Sequence, residues 1–305
     1  MNTVYFDSKL PDTERRKQLF TGQLFAFQPR PSVLALAEFA RGLIETAFGA
    51  TDPVTAQHSM SVEDFEAVLA SFKPLFINHP HSSQLVQNLL VDFGCDPEKT
   101  YFDVPRLRVA TSHNFLTRGL AYRFEMHRDT WFSAPLNQVN WWFPIYEHES
   151  GNALAFHPAY WRTGVANGSE HYHLRQWYEE GNRLRATGAP DLRQRPEAYA
   201  PLLPDPQLRL VLPPGSVTLF SAAHMHSTVP NDTGKTRYSI DFRTVHLDDL
   251  LARSGAPNVD SQSAGTNLVD YLRVADLTHI PKPITDLYEH GTPLVAPLSS
   301  EPQQA

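Results

Sequence analysis

His127 and Asp129, two apart in Met126-His127-Arg128-Asp129-Thr130, pair an imidazole nitrogen with a carboxylate oxygen. Along an extended strand, residues i and i+2 share a face, so both side chains can turn toward one metal ion. A 2-His-1-carboxylate set needs one further histidine and leaves open positions on Fe(II). A single His-x-Asp is weak evidence, and the chain holds a second, His246-Leu247-Asp248. Order separates the two. Only His279 and His290 follow Asp248, whereas His226, in His226-Ser227-Thr228-Val229-Pro230-Asn231, follows Asp129. His226 comes after the Pro213-Pro214-Gly215 turn and an apolar run ending at Phe220, and Arg237 opens another strand eleven positions later. The second His-x-Asp is assigned to the surface. His224 shares a strand face with His226 and is the rival ligand. The offset to Arg237 favours His226.

The elements that must carry these residues fall into two textures. Residues 32–48, 61–72 and 82–93 have helical apolar spacing, with Ser32 and Ser61 as N-caps and Gly49 as a stop. Beyond Tyr101 the pattern changes to short strands: 107–110, 121–126, 139–145, 208–212, 216–220 and 237–243. Short strands between turns indicate a mainly β sandwich or barrel with a helical layer. Residues 1–100 form that layer, 101–250 the β core, 159–206 a polar insert, and 251–305 a C-terminal extension of a single domain. The tail beyond Leu294 reads as frayed, and 299–305 as disordered. The helical layer offers either a homodimer surface or a lid.

Composition limits the function. The 305 residues include 18 Phe, 11 Tyr and 5 Trp, enough to form a core and to exclude a disordered chain. A net charge of −7 leaves no basic excess to neutralise phosphates, so a general nucleic-acid binder is excluded. The single cysteine, Cys95, excludes an intrachain disulfide and a cysteine-rich metal site. No apolar run of 18 residues and no leader-like N-terminus is visible, which points to the cytoplasm.

The ordered set His127-x-Asp129, Gly151-Asn152-Ala153-Leu154, Gly215, His226, Asn231 and Arg237-x-Ser239 resembles the non-haem Fe(II)/2-oxoglutarate-dependent dioxygenases, most of all the phytanoyl-CoA-dioxygenase-like branch. The resemblance spans about residues 105–245. It implies a double-stranded β-helix, a cupin-type jelly roll with helices packed on one sheet. It also implies His127, Asp129 and His226 as iron ligands, with 2-oxoglutarate as cosubstrate and O2 as oxidant. The expected reaction is hydroxylation of an aliphatic C–H in a small or medium organic substrate, with release of succinate and CO2. The distal carboxylate of 2-oxoglutarate needs a buried cation, and a guanidinium can grip it with two parallel hydrogen bonds. Arg237 suits this role, with the Ser239 hydroxyl on the same strand face. Arg243 is the rival on that face and is expected farther from the metal end, since two residues of strand span ~7 Å. Asn140 is a candidate for the cosubstrate's 1-carboxylate, and equally for a structural amide. Trp141 and Trp142 are expected in the core, and His171-Tyr172-His173 on a solvated loop. Two other classes remain open: a jelly-roll Zn or Mn isomerase or hydrolase that does not use 2-oxoglutarate, and a non-catalytic binding module.

The insert supplies an expectation about substrate. Between Tyr160 and Pro196 it carries six arginines (162, 175, 183, 185, 193 and 195) against Glu170, Glu179, Glu180 and Asp191. A long connection of this kind can fold over a barrel mouth. Its arginine excess would favour an anionic small molecule, with Tyr160, Trp161, Tyr172, Trp177 and Tyr178 as a packing wall.

Overall fold

The computed structural model describes residues 3–291, so the expected frayed tail lies outside the described residues. Eleven strands form two sheets. They are β1 (Val4–Phe6), β2 (Leu24–Phe27), β3 (Thr100–Phe102), β4 (Arg106–Ala110), β5 (Val139–Pro144), β6 (Leu154–Phe156), β7 (Leu208–Arg209), β8 (Val217–Ser221), β9 (His226–Thr228), β10 (Arg237–His246) and β11 (Leu272–Arg273). The larger sheet runs β1-β2-β8-β5-β10-β3-β11, with β4 also on β10, and the smaller runs β7-β6-β9. Apart from the parallel β1–β2 pair, the pairings are antiparallel.

The helices are α1 (Asp12–Phe20), α2 (Pro31–Phe48), α3 (Val62–Asn78), α4 (Pro80–Asp92), α5 (Leu174–Thr187), α6 (Leu247–Ala252) and α7 (Lys282–Thr285). Ser61 caps α3, accepting from the Asp64 amide as its sequence suggests. Ser32 does not cap α2. The helix starts a residue earlier at Pro31, whose fixed φ suits the first helical position, and Ser32 bonds Asp92 instead. Gly49 ends α2 at φ +62°. Among the described residues no helix is long and apolar enough to cross a membrane.

Alternation along the strands splits the interior into two cores. Trp141, Phe143, Val217, Leu219, Tyr238, Ile240 and Phe242 point to one face of the larger sheet and pack with residues of α2, α3 and α4. Their neighbours Trp142 and Phe220 point to the other face, joining Leu154, Phe156, Leu210 and Leu212 between the two sheets. The expected pair of core tryptophans is therefore divided: Trp141 stacks on Phe242 in the helix-covered core, and Trp142 faces the inter-sheet space. The N-terminal helices close the outer face of the sheet. They contribute nothing to the cavity described below, so they are not a lid.

Two expected strands are corrected. The alternating stretch 121–126 is not a strand. A 3-10 turn ends at Ala121, and Tyr122 and Phe124 both stay on the cavity side, edge to face. Strand 208–212 shortens to two residues. The insert is more ordered than a solvated loop, since it contains α5 and two 3-10 turns.

The turn before β8 makes one position sensitive. Gly215 has φ +87°, its carbonyl accepts the Arg30 amide at the start of α2, and an added Cβ would lie 2.5 Å from Leu34 Cγ. Gly215→Ala should destabilise the fold by about 2 kcal/mol. Thermal unfolding should then fall by about 4–8 °C; an unchanged melting temperature would contradict the turn described.

Candidate metal centre

Between the two sheets lies a cavity of about 300 Å³, lined by β4, β5, β6, β8, β9 and β10 together with the insert. In its wall His127, Asp129 and His226 converge, each offering a ligand atom within 4.8 Å of the others; they are the one such group among the described residues. His226 opens β9. His127 forms an isolated bridge to it through paired amide–carbonyl bonds of 3.0 and 2.9 Å. Asp129 is not on a strand, contrary to the expectation. It begins a 3-10 turn and is anchored by its amide to the Ala222 carbonyl. The two side chains nevertheless meet, because extended backbone before the turn still carries positions i and i+2 to one side.

The tautomers follow from the hydrogen bonds. His127 Nδ1 lies 2.8 Å from the Glu125 carbonyl, and His226 Nδ1 lies 2.9 Å from the His224 carbonyl. A carbonyl only accepts, so each Nδ1 carries the proton and each Nε2 keeps a lone pair. These Nε2 atoms sit 3.5 and 3.7 Å from Asp129 Oδ1. Three electron-rich atoms, none a donor in this tautomer, face one another in a buried corner. Such an arrangement needs a cation between them, and its donor chemistry suits Fe(II). Burial pushes the His226 imidazole down to about 4, so it is neutral at pH 7. For Asp129 burial acts upward and the Asn140 amide downward; protonated His127 and His226 rings would lower it further, and with the rings neutral a cation between the three atoms takes that part.

The second oxygen of Asp129 is held separately. Asn140 Nδ2 donates to Oδ2 at 2.6 Å, and Gln138 Nε2 donates to it at 3.3 Å. Gln138 also donates to Asn140 Oδ1, and its own Oδ-equivalent, Oε1, accepts from Asn267 and from the Tyr271 hydroxyl. The structure thus gives the Asn140 amide to Asp129. Sequence reasoning missed Gln138, Asn267 and Tyr271; the last two lie in the C-terminal extension, far from any motif. It also missed what Arg128 does. This nearly fully buried guanidinium points away from the ligands and pairs with Asp260 at 2.9 Å, while Trp131 Nε1 donates to the other Asp260 oxygen. Arg128 also donates to the carbonyls of Ala223, Tyr160 and Thr163, stapling the ligand turn to the insert.

His224 is not in the cluster. Its Nε2 reaches the Gly22 carbonyl, and its ring packs on Trp161. His246 is buried rather than on the surface, where it caps α6 by accepting the Asp248 amide; the Asp248 carboxylate instead pairs with Lys99 in solvent. The expected surface pair is therefore half correct, and neither residue approaches a metal cluster. His171 is exposed, as expected, but Tyr172 is buried and lines the cavity.

Both candidate arginines lie on the cavity face of β10, with Ser239 and Asp241 between them. The register reverses their expected order: Arg243 stands opposite Asn140, the residue that holds Asp129. Their partners tell them apart. Arg243 is bonded to Asp103 at 3.0 Å and to Asp241 at 3.2 Å. Arg237 is 5% exposed and, among the described residues, has no carboxylate within 4.0 Å. Its Nη1 donates to the Asn152 carbonyl, its Nε is buried without a partner, and its guanidinium lies 5.5 Å from the centre of the Trp142 ring. Burial pushes it down to about 10, still charged at pH 7. The Ser239 hydroxyl is also buried without a partner, set back from the cavity wall.

No protein-family model matches the chain, and no curated protein does. Solved structures resemble it over much of its length. EvdO2 from Micromonospora carbonacea var. aurantiaca, complexed with 2-oxoglutarate, is 15% identical over 78% of this chain and 91% of that one, with a TM-score of 0.43. A second EvdO2 structure matches over 58% of this chain and 64% of that one, at 15% identity and a TM-score of 0.37. The non-haem α-ketoglutarate-dependent epimerase SnoN from nogalamycin biosynthesis is 11% identical over 77% and 84% of the two chains, with a TM-score of 0.37. The chain is thus similar to a protein solved with 2-oxoglutarate bound and to a non-haem α-ketoglutarate-dependent epimerase.

Removing the amide that holds the second Asp129 oxygen should loosen the cluster. Asn140→Ala should lower divalent-metal affinity about 10–100-fold in competition with a chelating dye. His246→Ala should cost about 1 kcal/mol of stability as a lost helix cap, with metal affinity unchanged. The opposite pattern would move the metal site to the second His-x-Asp.

Proposed function

We propose that this chain is an Fe(II)- and 2-oxoglutarate-dependent oxygenase that hydroxylates an aliphatic C–H of a small organic molecule. His127, Asp129 and His226 hold the iron through Nε2, Oδ1 and Nε2. Arg237 holds the distal carboxylate of 2-oxoglutarate, and Ser239 supplies a free hydroxyl beside it. When bound, iron, 2-oxoglutarate and O2 supply the oxidising power that inserts oxygen into the C–H bond, with succinate and CO2 as coproducts. The protein's part is to bind, orient and exclude water. Asn140 and Gln138 keep one Asp129 oxygen occupied so that the other faces the metal. Phe220, Leu154 and Trp142 line the cavity with apolar surface. We read the two facing sheets as a double-stranded β-helix, within one domain whose helical layer is 1–100 and whose extension is 251–305.

The observation that carries this reading is Arg237. A buried guanidinium with no carboxylate in contact, Asp241 acting on it only from a distance, is costly, and its unpartnered Nε stands ready for a carboxylate. A jelly-roll isomerase or hydrolase would use the same ligands but would have no need of this cation. A binding module would need neither.

Anaerobic addition of Fe(II) and 2-oxoglutarate should give a weak visible charge-transfer band from keto-acid chelation. Arg237→Lys should raise the 2-oxoglutarate concentration at half-saturation of that band roughly 10- to 150-fold, the equivalent of about 1.5–3 kcal/mol. Absence of the band in the wild type would refute the oxygenase reading. The same defect in Arg243→Lys, with Arg237→Lys normal, would reverse the arginine assignment.

A further inference from the structure

The cavity carries charge that the cosubstrate chemistry does not use. Within the proposed iron and cosubstrate site charges balance: Arg237 offsets Asp129, and a divalent ion offsets the 2-oxoglutarate dianion. The rest of the lining carries Arg106, Arg108, Arg195 and Arg243 against only Asp103 and Asp241. The two carboxylates are shared along a chain. Asp103 bonds Arg106 and Arg243, and Asp241 bonds Arg243 and grips Arg108 through both of its oxygens. Three guanidiniums on two carboxylates leave one positive charge over. Asp270, the next carboxylate out, sits behind Tyr178, bonded to its hydroxyl, and does not line the cavity.

Arg195 adds a second positive charge. Its guanidinium lies 3.9 Å from the Tyr122 ring centre and 5.6 Å from that of Phe124, with no carboxylate within 4.0 Å among the described residues. Contact with the ring face holds the group in the cavity wall. Of the other insert arginines that the earlier expectation rested on, Arg175 pairs with Glu289, Arg183 with Glu180, and Arg193 with Asp191 while lying over Trp177, and Arg162 and Arg185 do not line the cavity. Opposite Arg195 the insert and the ligand turn contribute Tyr172, Trp177, Tyr178 and Phe132, which present flat apolar surface to the same space.

We infer that the substrate is a small molecule with a flat, unsaturated body and an oxyanion, carboxylate or phosphate monoester, with Arg195 as the residue that selects for the charge. The inference rests on the oxygenase reading for which end of the cavity the cosubstrate fills. In a chain of net charge −7, this local excess of two guanidiniums in a partly desolvated cleft would both attract an anion and orient it.

The test titrates benzoate, phenyl phosphate and neutral benzamide, read by saturation-transfer NMR, into protein loaded with redox-silent Zn(II), with and without saturating 2-oxoglutarate. At least one anion should bind about tenfold more tightly than benzamide with 2-oxoglutarate present. Arg195→Gln should reduce that preference to twofold or less and leave benzamide binding unchanged. Arg195→Lys should keep part of the preference. Whichever anion keeps it identifies the group. Equal binding of all three probes, or a preference that survives Arg195→Gln, overturns the inference. A preference that vanishes when 2-oxoglutarate is added, or is lost in Arg237→Lys instead, also overturns it, because the anion is then in the cosubstrate site. Signals of 2-oxoglutarate are read in the same spectra. Failure of 2-oxoglutarate to bind therefore counts against the oxygenase reading, separately from the probe preference at Arg195.

Discussion

A buried carboxylate with two separately employed oxygens organises this molecule. Asp129 is held ionised in a desolvated corner, which is tolerable only because each oxygen has its own compensation. Oδ2 takes two amide donors, and Oδ1 faces two imidazole lone pairs and whatever cation sits between them. From Asn140 and Gln138 the support runs to Asn267 and Tyr271. On the far side of the same turn, Arg128 meets Asp260 in an ion pair with almost no solvent exposure. The C-terminal extension is therefore part of the site's framework. Without it the ligand turn would lose partners on both sides.

The same logic explains why two similar arginines on one strand have different characters. Arg243 is neutralised by Asp103 and Asp241 and forms part of a fixed ionic lattice. Arg237 has one backbone carbonyl and the face of an indole. Folding leaves it without a contacting carboxylate, with Asp241 acting only from a distance, so a complementary anion gains the interaction that the protein withholds. Sites of this kind trade stability for binding, and the buried, unpartnered hydroxyl of Ser239 beside it belongs to the same trade.

What could be read from the sequence followed the range of the signal. The alternation in Arg237-Tyr238-Ser239-Ile240-Asp241-Phe242-Arg243 is local and strong, and it placed the two faces of β10 correctly. The order of His127, Asp129 and His226 picked out the three side chains that converge. Failures came where a residue's role depends on a distant partner. Nothing around Asn267, Tyr271 or Asp260 distinguishes it from loop sequence, and the fold alone brings them to the ligand turn. Tyr122 and Phe124 alternate with polar residues and share the cavity side as strand positions would, but no strand pairs with that segment, whose nearest bridge is an isolated one at His127. The arginine count of the insert pointed to an anion site, but half of those side chains are spent on ion pairs. Only the fold shows that Arg195 is the one that lines the cavity.

The central sheet has one further consequence. On β4, β5, β8 and β10 the residues that meet the helical layer are apolar, and the residues that meet the cavity include nearly all the charge and aromatic variety near the site. Each strand keeps these duties on opposite sides, one residue apart. A substitution at 106, 108, 142, 241 or 243 changes what the cavity recognises without touching the packing beneath α2–α4, and a substitution at 141, 219 or 240 does the reverse. Such a scaffold can drift toward new substrates by single steps while its folding remains under separate constraint, so lineages sharing this architecture should diverge fastest in alternate strand positions.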